Sequence, residues 1–380
     1  MAKLTKHIIK GDTPSSQFEL PVYEFGTPSH GPKIYLQAGM HADEHPGMLV
    51  LHHLMNQLEL AEEKGLLRAH FTILPVVNPL GLSHLSFHTH RGRYHPVIGL
   101  NYNRNWPDFG AILQSQDGFA AGLGNDKDAN KAHVRDHMRQ WLDAANPVTA
   151  LDHQRHLVMS YCYDADMILD LHCDDMARNH IFVIPQNVPR YQSLADRMGS
   201  VATLTAENSG GGSFDEVWSA LMVTLSKAFP DTPFPDPILS ATLEYRGQQD
   251  VCDHVNKQDA INLYDFFCDE GLIADTPSCA AVPASPPTPL DACDIVRVQE
   301  AGLIAYHVAL GDQVKKGDVI AELIALDGPE PARSRQPIYA GTDGVIFSLM
   351  QMKYVWPGTS IAKIAGTQSL ASRQGYLLED

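Results

Sequence analysis

Between residues 33 and 272, short apolar runs alternate with stretches in which apolar positions return every three or four residues. The runs KIYLQAG (33–39), HFTILPVV (70–77), DMILDLH (166–172), HIFVIPQ (180–186), SVATLTA (200–206) and ILSATLEY (238–245) predict β-strands. The periodic stretches predict helices over 46–64, 127–144, 148–163, 189–198, 214–227 and 257–272. Strands that are apolar almost throughout need cover on both faces. The expected fold class is therefore α/β, a mostly parallel mixed sheet with helices on both faces.

Three breaks in the pattern organise the rest. Residues 107–147, including DFGAILQSQDGFAAGLGNDKDANKAH, read as an insertion of loops and one amphipathic helix. GGGS (210–213), just before a helix pattern, could be a flexible active-site loop or a turn, and reads as the turn. In TPSCAAVPASPPTP (276–289) no period survives among proline, alanine and serine, which marks a linker between a domain spanning 1–275 and a smaller one spanning 290–380. The small domain shows an internal echo. AGLIAYHVALGDQVKKGDVIAEL (301–323) repeats in outline as TDGVIFSLMQMKYVWPGTSIAKI (342–364), two halves that would form a small β-sandwich similar to biotinyl and lipoyl carrier domains. Such carriers present a modified lysine at the hairpin between the halves. Here that hairpin, DGPEPARSRQ (327–336), has no lysine, so a capping or oligomerisation role is expected instead.

Composition narrows the function. At 44% apolar and 19% charged, the chain has ample material for a core. Its formal charge of −17, with no basic run, argues against nucleic acid or an anionic membrane as partner. No apolar stretch reaches the roughly 18 residues of a membrane span. The N-terminus, MAKLTKHIIKGDTP, does not read as a signal peptide, and the six cysteines lack CxxC spacing, so reduced thiols in a cytoplasmic protein are expected. An acidic domain carrying a β-cap would suit a symmetric homo-oligomer.

Against this background AGMHADEHPG (38–47) stands out. It places His41, Asp43, Glu44 and His45 where a predicted strand hands over to a helix. In a tight turn residues three apart come to one side, so His41 and Glu44 can grip one ion. Imidazole and carboxylate donors suit Zn²⁺, and a catalytic zinc takes three protein ligands. DLHCDD (170–175) offers the third, His172, at the carboxyl end of a predicted strand, the edge where open α/β sheets place their ligands. Asp170, two residues earlier on the same face, is placed to orient that imidazole. Cys173 faces the other way in a strand, and the histidines of HTHRGRYH (88–95) fall in a loop facing ligand or solvent.

Five stretches in order, GMHADEHPG, NPLGL (78–82), NYNRNWPD (101–108), DLHCDD and LEYRG (243–247), resemble the landmarks of the succinylglutamate desuccinylase/aspartoacylase family, relatives of the zinc carboxypeptidases. The resemblance spans about the first 270 residues, and the small domain also looks like one those enzymes carry. It implies a zinc carboxypeptidase-like fold with one Zn²⁺ per chain on His41, Glu44 and His172. Glu244 matches the catalytic glutamate, and Asn103 with Arg104 match a pair that binds a substrate carboxylate. Arg93 matches the arginine that polarises the scissile carbonyl, with Arg91 as its rival. Two departures matter. Ala42 stands where the family has glycine, which would strain a backbone that needs one, and WPD replaces FPG after the Asn-Arg pair.

The implied activity is zinc-dependent hydrolysis of an N-acyl amino acid or similar small amide bearing a carboxylate. A divalent cation supplies Lewis acidity and an activated water, Glu244 moves the proton, and Arg93 faces the developing oxyanion. Arg104 offers a planar fork that matches a carboxylate in spite of the acidic overall charge. The alternatives are a zinc carboxypeptidase acting on short peptides and a metal-binding relative that has lost catalysis.

Overall fold

A computed structural model describes residues 2–187, 190–327 and 334–378. Its centre is a nine-stranded sheet: β1 (Lys3–Lys10), β2 (Gln17–Phe25), β3 (Lys33–Ala38), β4 (His70–Leu74), β5 (Met167–Asp174), β6 (His180–Val183), β7 (Ala202–Thr205), β8 (Leu239–Gly247) and β9 (Pro287–Pro289). Spatially the order is β1-β2-β4-β3-β5-β8-β6-β7-β9. Strands β4, β3, β5 and β8 run parallel, β6 opposes β8, and β7 and β9 continue parallel to β6. The mostly parallel mixed sheet expected from the apolar runs is present.

Alternation along the central strands divides the core in two. Ile34, Leu36, Leu169, Leu171, Ala241 and Leu243 point to one face, where helices Pro46–Glu63, Arg190–Met198 and Asp253–Asp269 cover them. Tyr35 and Ile168 point to the other, under helices Phe109–Ser115, Lys127–Ala144, Ala150–Cys162 and Phe214–Ala228. Two-sided cover is what strands with no polar face require. The segment 107–147 contributes two of these helices, where one was expected. Phe109, Leu113, Val134 and Met138 anchor it in the second core.

The β1–β2 hairpin was not anticipated. It adds to the sheet edge antiparallel to β4. Only Ile9 of β1 is buried, and Pro21 interrupts β2, so neither strand carries a strong pattern. Within 276–289, Pro287–Pro289 forms the opposite edge strand, pairing with β7. The last helix begins at Asp253, four residues earlier than its periodicity indicates, because Asn256 Oδ1 accepts the Cys252 N–H and caps the turn.

Beyond residue 290 the chain makes two antiparallel sheets around a shared core that includes Ile304, Ile320, Ile346 and Ile361. The echo in the sequence has a structural counterpart. Gly302–Tyr306 and Val319–Ile324 of the first half pair with each other and with Tyr354–Val355 of the second. Gly344–Leu349 and Ser360–Ala365 of the second half pair with each other and with Gln313–Val314 of the first. Residues 328–333, most of the lysine-free hairpin, lie outside the described residues. Gly344–Leu349 also pairs with Met176–Ala177, which fixes the C-terminal unit against the end of β5.

Candidate metal centre

Three adjacent parallel strands deliver the functional residues to one edge. Register sets Ala38 of β3 beside Leu171 of β5, and Glu244 of β8 beside His172. Side chains alternate along a strand, so Asp170 and His172 rise from the same face as Thr242 and Glu244. The chain then leaves β3 through a turn in which the Glu44 N–H donates to the His41 carbonyl at 3.1 Å. Pro46 opens the following helix, where a missing N–H costs nothing.

The turn and β5 meet. His41 Nδ1 lies 2.9 Å from Glu44 Oε1, and His172 Nδ1 lies 2.8 Å from Glu44 Oε2. All three residues are buried, and one ligand atom from each falls within 4.8 Å of the others. Among the described residues this is the one group of three or more His, Cys, Asp or Glu side chains so arranged. Each imidazole turns Nδ1 inward and is held by Nε2. His41 Nε2–H donates to Asn101 Oδ1 at 2.8 Å. His172 Nε2 lies 3.0 Å from Asp170 Oδ2 and 3.4 Å from Asn103 Nδ2. The Asp170 contact is close but not aligned as a hydrogen bond, and both Asp170 oxygens are buried without a hydrogen-bond partner.

The donor set fits a divalent cation. Burial drives His41 to a pKa of about 4, with Arg93 adding to the effect, so it is a neutral nitrogen donor. Burial opposes charge on His172, yet Asp170 and Glu44 outweigh it and hold its pKa well above the ordinary value. Burial likewise pushes Glu44 up, but the two imidazoles hold it well below the carboxylate range. Two carboxylates thus draw positive charge to a buried point that two imidazole nitrogens already face. Zinc sites are built from such donors.

Around this centre the remaining candidates take distinct places. Arg93 Nη1 donates to Glu44 Oε1 at 3.0 Å and stands 3.2 Å from His41 Nδ1, whereas Arg91 is exposed. Burial works against the charged Arg93 guanidinium, and the Glu44 carboxylate more than offsets it. Glu244 lines the same cavity, and its Oε2 is buried without a hydrogen-bond partner. Burial, reinforced by Glu44, pushes its pKa up to about 8. Arg246 pairs instead with Asp259 and Asn179, from a left-handed backbone at φ 60°.

Asn103 and Arg104 are both buried. Asn103 Oδ1 accepts the Phe214 N–H at 2.8 Å, while Arg104 Nη1 donates to the Asn103 carbonyl and its Nε to the Tyr376 hydroxyl, both at 2.9 Å. GGGS packs against the segment that carries Arg104, as the active-site-loop alternative anticipates. Gly211 and Gly212 accept the N–H groups of Asn105 and Trp106, and a Cβ on Gly211 would lie 2.9 Å from Arg104 Cδ.

Ala42 is not strained, since its backbone has no positive φ. The close approach falls on Gly92 instead. Its carbonyl accepts the Ala42 N–H at 3.0 Å, and a Cβ there would meet Asp43 N at 2.4 Å. Several residues at the site gave no signal in the sequence. Asn101 orients His41. Lys363, from the C-terminal unit, lies 2.7 Å from Asp174. Arg155 donates to the carbonyls of Tyr102, Arg104 and Asn105 and sits 4.7 Å over the Trp106 ring. The NYNRNW motif implied a loop with a role, but nothing local indicated which distant arginine would hold it.

The sequence model of the succinylglutamate desuccinylase/aspartoacylase catalytic domain matches residues 30–215. No curated protein matches the chain. Among solved structures, a succinylglutamate desuccinylase/aspartoacylase family protein of Shewanella amazonensis superimposes with a TM-score of 0.81 at 24% identity, covering 96% of this chain and 98% of that one. One from Shewanella frigidimarina gives 0.79 at 22% identity, with 96% and 97% covered. The product-bound ectoine utilization protein EutE (DoeB) of Ruegeria pomeroyi gives 0.63 at 16% identity, with 97% and 95% covered. At these identities the likeness is one of fold.

Proposed function

From the match of residues 30–215 to the succinylglutamate desuccinylase/aspartoacylase catalytic-domain model, we propose that the protein is a member of that family and a zinc-dependent amidohydrolase that removes an N-acyl group from an amino acid or related small amine. The observation that carries the proposal is the convergence of His41, Glu44 and His172 in a cavity that Glu244, Arg93 and Arg104 also line.

In this reading His41, Glu44 and His172 hold one zinc per chain. When bound, the metal supplies Lewis acidity toward the carbonyl and activates a water. Glu244 takes a proton from the attacking water and passes it to the departing amine. Burial raises its proton affinity above that of an ordinary carboxylate, the direction that favours proton transfer by a buried carboxyl. Arg93 aims its guanidinium at the oxyanion that develops on the scissile carbonyl, in surroundings where burial strengthens the attraction. Arg104, seated by Asn103, Tyr376 and the glycine loop, grips the substrate carboxylate through its planar fork. The C-terminal β-sandwich serves as a wall of the cavity. Six cysteines without a disulfide among them, and no helix among the described residues able to cross a membrane, fit a cytoplasmic setting.

The deciding assay compares N-acetyl and N-succinyl amino acids with blocked dipeptides, before and after chelation. Acyl amino acids should be hydrolysed, the dipeptides left intact, and activity should vanish with the metal and return with zinc. Hydrolysis that persists in metal-free protein would contradict the proposal, and preference for the dipeptides would favour a carboxypeptidase.

A further inference from the structure

The cavity at the metal cluster encloses about 990 Å³, part of it open to solvent, and much of its wall is not charged. Phe182, Leu204, Leu290, Phe347, Leu377 and Leu378 line it, drawn from β6, β7, the start of the C-terminal unit, one of its inner strands and the final segment. Leu204, Leu290 and Phe347 are buried members of one cluster, and Phe182, Leu377 and Leu378 pack on it. This wall reaches the amino-acid end of the site. A Cβ on Gly211 would lie 2.9 Å from Leu378 Cδ1 as well as from Arg104 Cδ, so the leucine and the carboxylate-binding arginine share that glycine's open face. The two nearby cations have partners within the protein. Lys363 lies 2.7 Å from Asp174, and Arg373 Nη2 donates to the Leu377 carbonyl at 2.5 Å.

We propose that the amine half of the substrate is an apolar amino acid, its carboxylate on Arg104 and its aliphatic or aromatic side chain against Leu204, Phe347, Leu377 and Leu378. The inference rests on the deacylase reading and adds the substrate class. An acidic side chain placed here loses its hydration against carbon. Each methylene buried on the same wall favours binding by about fourfold. Arg373 Nε, which is buried and has no hydrogen-bond partner, is the feature that would favour an acidic side chain, so the test includes one.

Two readouts are needed, turnover and binding. With zinc-supplemented protein, kcat/KM is measured for N-acetyl-L-leucine, N-acetyl-L-phenylalanine, N-acetyl-L-aspartate and N-acetyl-L-glutamate. Calorimetry measures binding of free leucine and aspartate to the same protein. The apolar substrates should win by about tenfold or more, and leucine should bind more tightly than aspartate. Leu378→Arg, at a half-buried position, should erase that advantage in both readouts with metal content unchanged. Preference for the acidic pair in turnover and binding overturns the inference but leaves the deacylase reading standing. Hydrolysis of none of the four by metal-loaded protein overturns both.

Discussion

In the proposed mechanism, surroundings give two ordinary side chains, Glu244 and Arg93, a task. Glu244 has an oxygen with no hydrogen-bond partner beside Glu44, and its proton affinity is raised by burial and by that neighbour. Glu244→Gln keeps the shape and removes the proposed base, so kcat should fall by about a hundred- to ten-thousandfold while metal content stays at the parent's level. Arg93→Ala should cost about a hundred- to a thousandfold, read as kcat/KM at constant metal content. The convergence of His41, Glu44 and His172 was legible because their types and spacing sit at predicted strand ends. The contact of Asn101 with His41 was not, since an asparagine that holds a histidine sixty residues away has no local signature. The choice between Arg91 and Arg93 was open in the sequence for a related reason. Both lie in a loop whose side-chain directions are set by Gly92 and the turn at Ala42, not by any period.

At the scale of elements, two loops must interlock before any ligand is in place. The His41–Glu44 turn touches Gly92 through backbone alone. Gly92→Ala forces the two backbone segments apart, and its expected consequence is loss of bound metal with little change in far-ultraviolet dichroism. Arg155 performs the corresponding service for the Asn103–Arg104 loop, reaching three of its carbonyls from the helix Ala150–Cys162. Burial lowers its pKa to about 10, with Asp152 opposing, which leaves it charged at neutral pH. Arg155→Lys keeps the charge but loses the fork. It should raise KM about tenfold with kcat and metal content nearly unchanged, and equal losses in kcat would mean a wider structural role. The central strands and most helices were legible because apolar periodicity is strong in elements buried on both sides. The β1–β2 hairpin and Pro287–Pro289 were not, because edge strands are half-exposed and proline-tolerant, and tertiary pairing alone defines them.

The whole molecule joins its two halves at the site. Lys363, on a C-terminal strand, meets Asp174 at the end of β5. Burial alone would raise Asp174, but Lys363 and the neighbouring His180 bring its pKa to about 2. Lys363→Met leaves that carboxylate unpaired and should destabilise the protein by about 3 kcal/mol, read from the denaturant midpoint. His180 lies in the same seam, its Nδ1–H donating to the Arg178 carbonyl and its ring 4.9 Å from that of Phe347. Burial lowers its pKa from 6.5 to about 4, with Asp174 opposing and Lys363 assisting. The unfolded chain therefore binds a proton on His180 below pH 6.5 that the folded protein refuses until about pH 4. Its contribution to stability is complete above 6.5 and is lost as pH falls across that window. In metal-free protein the Tm of His180→Asn should fall less over this range than that of the parent.

The central claim is that two distant parts of the chain meet around one metal ion, and metal content per chain measured by plasma mass spectrometry tests it most directly. The parent protein, purified and dialysed against zinc, should carry one equivalent, and folded His41→Ala and His172→Ala proteins should each carry almost none. A full equivalent retained in either variant would contradict the account.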